Sequence, residues 1–386
     1  MDKVFTVELT GNGNCYATVD LPLTPYGMLD ALDKLRMTPQ DDPKWEICDF
    51  HQHHELYQRI GSGSIYQLNV LAAKLSEMDA WASTAFEGLV QAQEVKNGRS
   101  IQMNKLIDYA YGAHNCHIVD EAHTDEELGR FLVNGGFVPE ADEVPDKALA
   151  LLDFGKIGRD WRLSERGAFT KGGYVMPVVM EEIHKSMDFT PKMPDYTALL
   201  ELGVMDTEVT TTLKLPTDSE KLSIALQRLG VENGQNVSYR CADCRVPALC
   251  DAFSTTESIA HASAAALELA RIPEQELPKY KALIGTLDIS DLNEALDLAQ
   301  RLDEYVLSPE QTSFEDIARG ELHFILGEKE AETLLPCVNL YQYGRALQEK
   351  YQLALTDYGS VERSDNQPLM APQEQSQPSM GGMEMM

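Results

Sequence analysis

The sequence predicts an α+β protein, an elongated chain of small α+β and helical subdomains present as two tandem copies. Three observations carry that expectation. One half of the chain aligns on the other half. The apolar pattern switches repeatedly between a period of two and a period near 3.6. No single segment is large enough to build a big core by itself. At 386 residues the chain has room for two or more domains.

The repeat is read first. VDLPLTPYGMLDALDKLRM (Val19 to Met37) lies over LKLPTDSEKLSIALQRLGV (Leu213 to Val231) without a gap. At the same offset Trp45 meets Tyr239, Asp49 meets Asp243, and Ser64-Ile65 meets Ser258-Ile259. After a deletion, DEELGR (Asp125 to Arg130) meets FEDIAR (Phe314 to Arg319). Then DFGKIGRDW meets NLYQYGRAL, and FTKGGYV meets LTDYGSV. Identity is low but the order holds across both halves. The division is 1–180 and 206–363, with a link over 181–205 and a Pro-, Gln- and Met-rich tail over 364–386 expected to be disordered.

The same alignment disposes of a false lead. Asp153-Phe154-Gly155 has the form of a kinase magnesium triplet, but no His-Arg-Asp loop or glycine-rich strand pair accompanies it. In the second copy those three positions become Asn339, Leu340 and Tyr341, while Gly158-Arg159 persists as Gly344-Arg345. The persisting pair suits a structural role, a close helix contact at the glycine and an ion pair at the arginine.

Within copy one, VFTVELT and CYATVDL alternate around Gly11-Asn12-Gly13-Asn14, a hairpin pattern. Thr24-Pro25 opens a helix with Met28, Leu29, Leu32 and Leu35 on one stripe. WEICDF (Trp45 to Phe50) reads as a strand. Ser64 caps a helix carrying Ile65, Leu68, Leu71, Ala72 and Leu75. A second helix centres on Phe86, Leu89 and Val90, and a third runs from about Ile101 to Tyr111. CHIVDEA is strand-like, and Thr124-Asp125-Glu126-Glu127 is a capping box with Gly135 beyond the helix end. Pro145 begins a further helical stretch, and GAFTKGGYVMPVV is a hairpin around Lys171-Gly172-Gly173. The unit therefore reads as α+β over about 1–60, helical over 61–113, and α+β again over 114–180.

Charge is the outstanding compositional feature. Lys+Arg is 32 against Asp+Glu 62, a formal net charge of −30. Copy one carries 27 acidic and 16 basic residues, copy two 27 and 14, so the acidity belongs to the repeated unit and not to one tail. Such a surface repels nucleic acid and anionic membranes and attracts basic partners. The hydrophobic fraction of 43% is that of a globular chain and argues against an acidic disordered one. No apolar run approaches the roughly 18 residues of a membrane span. The N-terminal stretch lacks a signal-peptide pattern, and seven scattered cysteines fit reduced thiols, so a cytoplasmic protein is expected.

Two clusters suggest chemistry. CDFHQHHELY places His51, His53 and His54 beside Cys48, Asp49 and Glu55; His-x-His alternation on a strand would turn two rings to one face, as in some metallohydrolases. Copy two lacks these residues and no full ligand set accompanies them. Cys241-x-x-Cys244, with Cys250 nearby, lacks a second pair for zinc, and His114-x-x-His117 is weaker still. The expectation is no metal, no cofactor and no catalysis, with a metal-dependent enzyme on the His cluster as the alternative.

The ordered set of SIYQLNVLAAKLSEM, WEICDF and DFGKIGRDWRLSERGAFTKGGYV resembles the ArdA-type antirestriction proteins of plasmids and conjugative elements. The resemblance covers nearly all of copy one; copy two departs from it at Gly344-Arg345-Ala346, at YRCADC and in its shorter middle. It implies a non-enzymatic, elongated DNA mimic that occupies the DNA groove of type I restriction–modification enzymes and acts as a dimer, part of which the tandem copy could supply as an intrachain pseudo-dimer. Another DNA-binding protein, a transcription regulator or CRISPR nuclease, is the alternative target. Duplex DNA carries about one charge per 1.7 Å, so the two copies match the charge of roughly a dozen base pairs. The candidate mimic surface comprises Asp41, Asp42, Glu46 and Asp49; Glu77 and Asp79; Asp120, Glu121, Asp125, Glu126 and Glu127; and Glu140, Asp142, Glu143 and Asp146. Mutual repulsion among carboxylates is expected to raise some acidic pKa values.

Overall fold

The computed structural model describes residues 2–93, 100–139, 151–204, 207–231, 237–365 and 367–369. The chain divides into two compact units, Met1–Met193 and Pro194–Met386. Each is mixed α+β, built from helices and small three-stranded sheets. No helix among the described residues is long and apolar enough to cross a membrane.

The first unit opens with β1 (Phe5–Thr10), β2 (Tyr16–Leu21), α1 (Pro25–Lys34) and β3 (Lys44–Phe50). β1 is the central, antiparallel strand, flanked by β2 and β3, with a bulge between Thr6 and Val7. The alternation decides which face is buried: Phe5, Val7 and Leu9 go in, and Thr6, Glu8 and Thr10 go out. Thr24 caps α1 and Pro25 sits in its first turn. Next come α2 (Ile65–Ser76), α3 (Ala80–Ala92) and α4 (Met103–Gly112). Ser64 closes a full capping box with Gln67 at the start of α2. One apolar core runs from Val4 through Leu32, Leu68, Phe86 and Ile107 to Cys116, so the first sheet and the helices fold around shared contacts. Burying each such large side chain is worth about 1.5–3 kcal/mol.

β4 (His117–Val119), α5 (Asp125–Asn134), α6 (Phe154–Glu165), β5 (Ala168–Thr170) and β6 (Gly173–Met176) complete the unit, the strands ordered β4-β6-β5. Asp153 is the N-cap of α6, accepting from the Lys156 amide at 2.9 Å. The kinase-like triplet is therefore a helix start. Gly158 lets α6 lie on the first turn of α5; a β-carbon there would stand 1.9 Å from the Asp125 carbonyl oxygen.

The second unit contains β7 (Ala198–Val204), β8 (Thr210–Leu215), α7 (Ser219–Arg228) and β9 (Val237–Cys244), ordered β8-β7-β9 with a bulge between Leu199 and Leu200. Then follow α8 (Cys250–Thr255), α9 (Ile259–Leu269), α10 (Leu277–Thr286) and α11 (Leu292–Gln300). β10 (Tyr305–Ser308), α12 (Phe314–Leu326), α13 (Glu328–Leu334), α14 (Leu340–Tyr351), β11 (Ala354–Thr356) and β12 (Gly359–Arg363) end it, ordered β10-β12-β11.

Contacts recur between the units in detail. Asn69 hydrogen-bonds both backbone groups of Leu23, and Ser263 does the same to Thr217. Asn339 caps α14 as Asp153 caps α6. A β-carbon on Gly344 would stand 1.8 Å from the Phe314 carbonyl oxygen, as one on Gly158 would from that of Asp125.

The boundaries differ from the expected ones. Residues 198–204, assigned to a link over 181–205, form the central strand β7, with Ala198, Leu200 and Leu202 fully buried. The alternation in ALLELGV is that of a half-buried strand, and the second unit begins at Pro194, not 206. Part of the same stretch belongs to the first unit: the His184 amide and ring both hydrogen-bond the buried carboxylate of Asp108, at 3.0 and 2.8 Å. The helix expected from Pro145 and nearly all of the tail, 370–386, lie outside the described residues.

Candidate protein-interaction surface

The outer face of the β2-β1-β3 sheet is acidic. Cross-strand register sets Glu8 of β1 directly opposite Glu46 of β3, and Thr6 opposite both Asp20 and Asp49. Glu8, Glu46 and Asp49 are exposed, and neither Glu8 nor Glu46 makes an ion pair among the described residues. Like charges opposed across a ladder are destabilising, so this arrangement works against the free fold. Among the described residues two cations share the face: Lys3, which pairs with Asp20 at 2.5 Å, and Lys44, opposite Thr10. The Lys3 hydrogen bond, with that of Thr6, holds the Asp20 carboxyl below the usual range.

The equivalent sheet face of the second unit is neutralised. Glu201 stands where Glu8 does, and its cross-strand partner is Arg240 in the place of Glu46. The two form an ion pair at 2.7 Å. Lys214 likewise pairs with Asp195 at 2.6 Å. Asp243, aligned with Asp49, is buried and accepts from the Tyr196 hydroxyl at 2.8 Å.

Other candidate carboxylates are occupied locally. Asp41 accepts from the amide and hydroxyl of Thr38, at 2.7 and 2.8 Å, and these bonds depress its pKa. Asp42 accepts from the Ile65 amide at 3.2 Å, at the start of α2. Asp79 is the N-cap of α3. Asp125 is held by Arg162 through two bonds of 2.8 and 3.2 Å, with Arg159 at 3.5 Å, and the Arg162 bond holds its carboxyl well down. Glu126 pairs with Arg130 at 2.7 Å. Glu127 accepts from the His123 amide at 2.8 Å, which lowers its pKa. Glu77, Asp120 and Glu121 are exposed. Arg345 pairs with Glu349 at 3.7 Å on its own helix. Glu140, Asp142, Glu143 and Asp146 lie outside the described residues.

At Asp41, Asp125 and Glu127 the shifts run downward. Local hydrogen bonds and arginines dominate at Asp41, Asp125 and Glu127. Upward shifts fall on Glu87 and Glu362, where burial is the first cause and the charges of Glu55 and Glu321 add to it.

The His cluster is dispersed by the backbone. β3 ends at Phe50, and His53 has a φ of 55°, so the strand alternation that would align two rings is absent. His51 contacts Thr6 at 2.8 Å, while His53 bonds Glu55 at 2.9 Å and stacks edge-on against Phe86. His54 is exposed. Among the described residues no group of three or more His, Cys, Asp or Glu side chains is arranged to hold a metal ion.

Sequence reasoning missed Glu8 and Asp20. Their outward positions were legible in the alternation of VFTVELT and CYATVDL. Their placement beside Glu46 and Asp49 required the register.

Residues 15–176 match the family model described as antirestriction protein, ArdA. No curated protein matches the chain. The matched stretch takes in β2, β3 and the helices behind them, together with both helices joined at Gly158 and the closing hairpin. Over that stretch, most of the first unit, the chain is similar to the ArdA antirestriction protein family.

Proposed function

We propose that this protein counters restriction as a DNA mimic, presenting carboxylates where duplex DNA presents phosphates, to the DNA groove of a type I restriction–modification enzyme. The coarser part follows from the family, which acts against restriction–modification enzymes and is non-enzymatic. The observation that supports the finer part is the opposed pair Glu8 and Glu46, with Asp49 on the same sheet face. An unneutralised pair is a cost to the free fold that a cationic groove removes on binding. Carboxylates on strand backbones are also fixed in position, so less side-chain and loop ordering opposes the complex.

The reading takes the chain as a tandem duplication whose second copy has kept the fold and lost the acidic sheet face. The shared sheet orders, the paired Asn69 and Ser263 contacts, and the matched glycines support this. Replacement of Glu46 by an arginine at position 240 marks the change.

The test is displacement. A labelled duplex carrying the recognition site is bound to a purified type I enzyme, and this protein is titrated in. Release of the duplex supports the reading, and a folded sample that releases none at low salt removes that enzyme as the target.

A further inference from the structure

Unit two contains a group of thiols that the antirestriction reading does not use. Cys241 lies near the end of β9, Cys244 closes that strand, and Cys250 begins α8. The Cys241 and Cys250 sulfurs are 3.4 Å apart. Both residues are half-buried, whereas Cys244 is fully buried with its sulfur at 3.3 Å from the Val246 carbonyl. In the first unit the register positions of Cys241 and Cys244 are held by Ile47 and Phe50. The fold thus accepts ordinary apolar side chains there, and thiols are not needed for packing.

We propose that Cys241 and Cys250 form a peroxide-sensitive dithiol that closes to a disulfide, tying β9 to α8. To close, the sulfurs move from 3.4 Å to a bond of about 2.05 Å. The loop spanned is short, so the bond would stiffen the strand-to-helix connection more than it stabilises the whole unit.

The chemistry balances with hydrogen peroxide as the oxidant. The Cys250 thiolate attacks one peroxide oxygen, the O–O bond breaks, and the products are a Cys250 sulfenic acid and hydroxide. The Cys241 thiol then attacks the Cys250 sulfur, its proton passing to the departing hydroxide as the S–O bond breaks, so that water leaves. Two thiols lose two protons and two electrons, and one peroxide becomes two waters. The order is set by the hydrogen bonding: the Cys241 thiol donates to the Cys250 sulfur at 3.4 Å, and its neighbouring thiols, Cys241 first, draw the Cys250 pKa down, while Cys241, against an opposing bond with Cys244, is pushed up by its bond with Cys250 and by burial. The sulfur that accepts this bond carries the first negative charge and reacts first. Cys244, buried and raised chiefly by desolvation, stays protonated.

The test uses the full chain, treated with hydrogen peroxide, alkylated and digested with trypsin without reduction. Cleavage after Arg240, Arg245 and Arg271 separates CADCR from the 246–271 peptide that contains Cys250. The expected product is these two peptides joined, two hydrogens lighter than their sum and released by dithiothreitol. It should persist in Cys244→Ser and be lost in Cys241→Ser and in Cys250→Ser. Two results would overturn the assignment: joined peptides that survive Cys241→Ser, or unlinked peptides under conditions that already oxidise the exposed Cys48 and Cys337. Wild-type protein is the primary sample, so misfolding of a variant does not leave the question open. Loss of duplex displacement would bear on the mimic reading alone, since the linkage is read by mass.

Discussion

Gly158 lies against the carbonyl oxygen of Asp125 so closely that a β-carbon would stand 1.9 Å away. Helices α5 and α6 meet there, and Arg159 and Arg162, on the same helix as the glycine, reach the Asp125 carboxylate. One residue thus receives a helix on its backbone and two cations on its side chain. Gly344 and Phe314 repeat the backbone half of this contact in the second unit without the ion pairs.

The first prediction concerns that contact. Gly158→Ala puts a methyl into a backbone carbonyl, which cannot rotate away, so the helices must separate. Overpacking of this kind costs about 1–3 kcal/mol, read as a lower urea midpoint. Gly155→Ala is the control on the same helix. Its β-carbon would meet only the Asp153 carboxylate, at 3.5 Å, and an added helix-former should leave stability unchanged or raise it by up to about 1 kcal/mol. Equal effects at the two positions would contradict the packing.

The second is a pH dependence. The folded pKa of Asp125 lies below its ordinary value, first through the Arg162 hydrogen bond. Its stabilisation is therefore complete above the unfolded value, near 3.8, and is lost as pH falls through the lower folded value. Asp125→Asn should cost about 1.5–3 kcal/mol at neutral pH and progressively less in acid. Denaturation of both proteins across this pH range measures it; a constant difference down to the lowest pH would rule out the ion pair as the cause.

The third separates stability from binding at the acidic sheet face. Glu46→Gln removes one of two opposed charges and should stabilise the free protein by about 0.2–1 kcal/mol. The same change should weaken duplex displacement. Arg240→Gln in the second unit should do the reverse for stability, because it leaves Glu201 without its 2.7 Å partner, and should leave displacement unaltered. Thermal midpoints and competition titrations on the same samples distinguish the two effects.

The fourth concerns salt. A net charge of −30 makes self-repulsion a general term, so the melting temperature should rise from low to high ionic strength as that repulsion is screened. Binding to a cationic groove should weaken over the same range. If melting temperature fell with salt, attractive pairs such as Arg162–Asp125 would outweigh repulsion in the fold.

Local signals made much of this architecture legible. Thr24, Ser64 and Thr124 stand as caps in front of apolar stripes, and each begins the helix it announces. The alternation of VFTVELT placed Glu8 outward. What stayed hidden depended on pairing at a distance. The choice of β1 as central strand, the bulge at Thr6 and hence the Glu8–Glu46 opposition follow from register, which no local pattern states. Arg162 and Asp125 are likewise brought together by helix packing across a long stretch of chain. The strand β7 was hidden for another reason: its alternation is short and follows a proline-containing connection that reads as a link.

The most direct test is competition for a purified type I restriction–modification enzyme between its recognition duplex and this protein, with a Glu8→Lys/Glu46→Lys variant beside the wild type. The account predicts displacement by wild type that weakens steeply with salt, and a tenfold or greater loss in the variant, a difference of about 1.4 kcal/mol or more. Displacement by a folded double variant equal to that of wild type would contradict the acidic sheet face as the binding surface.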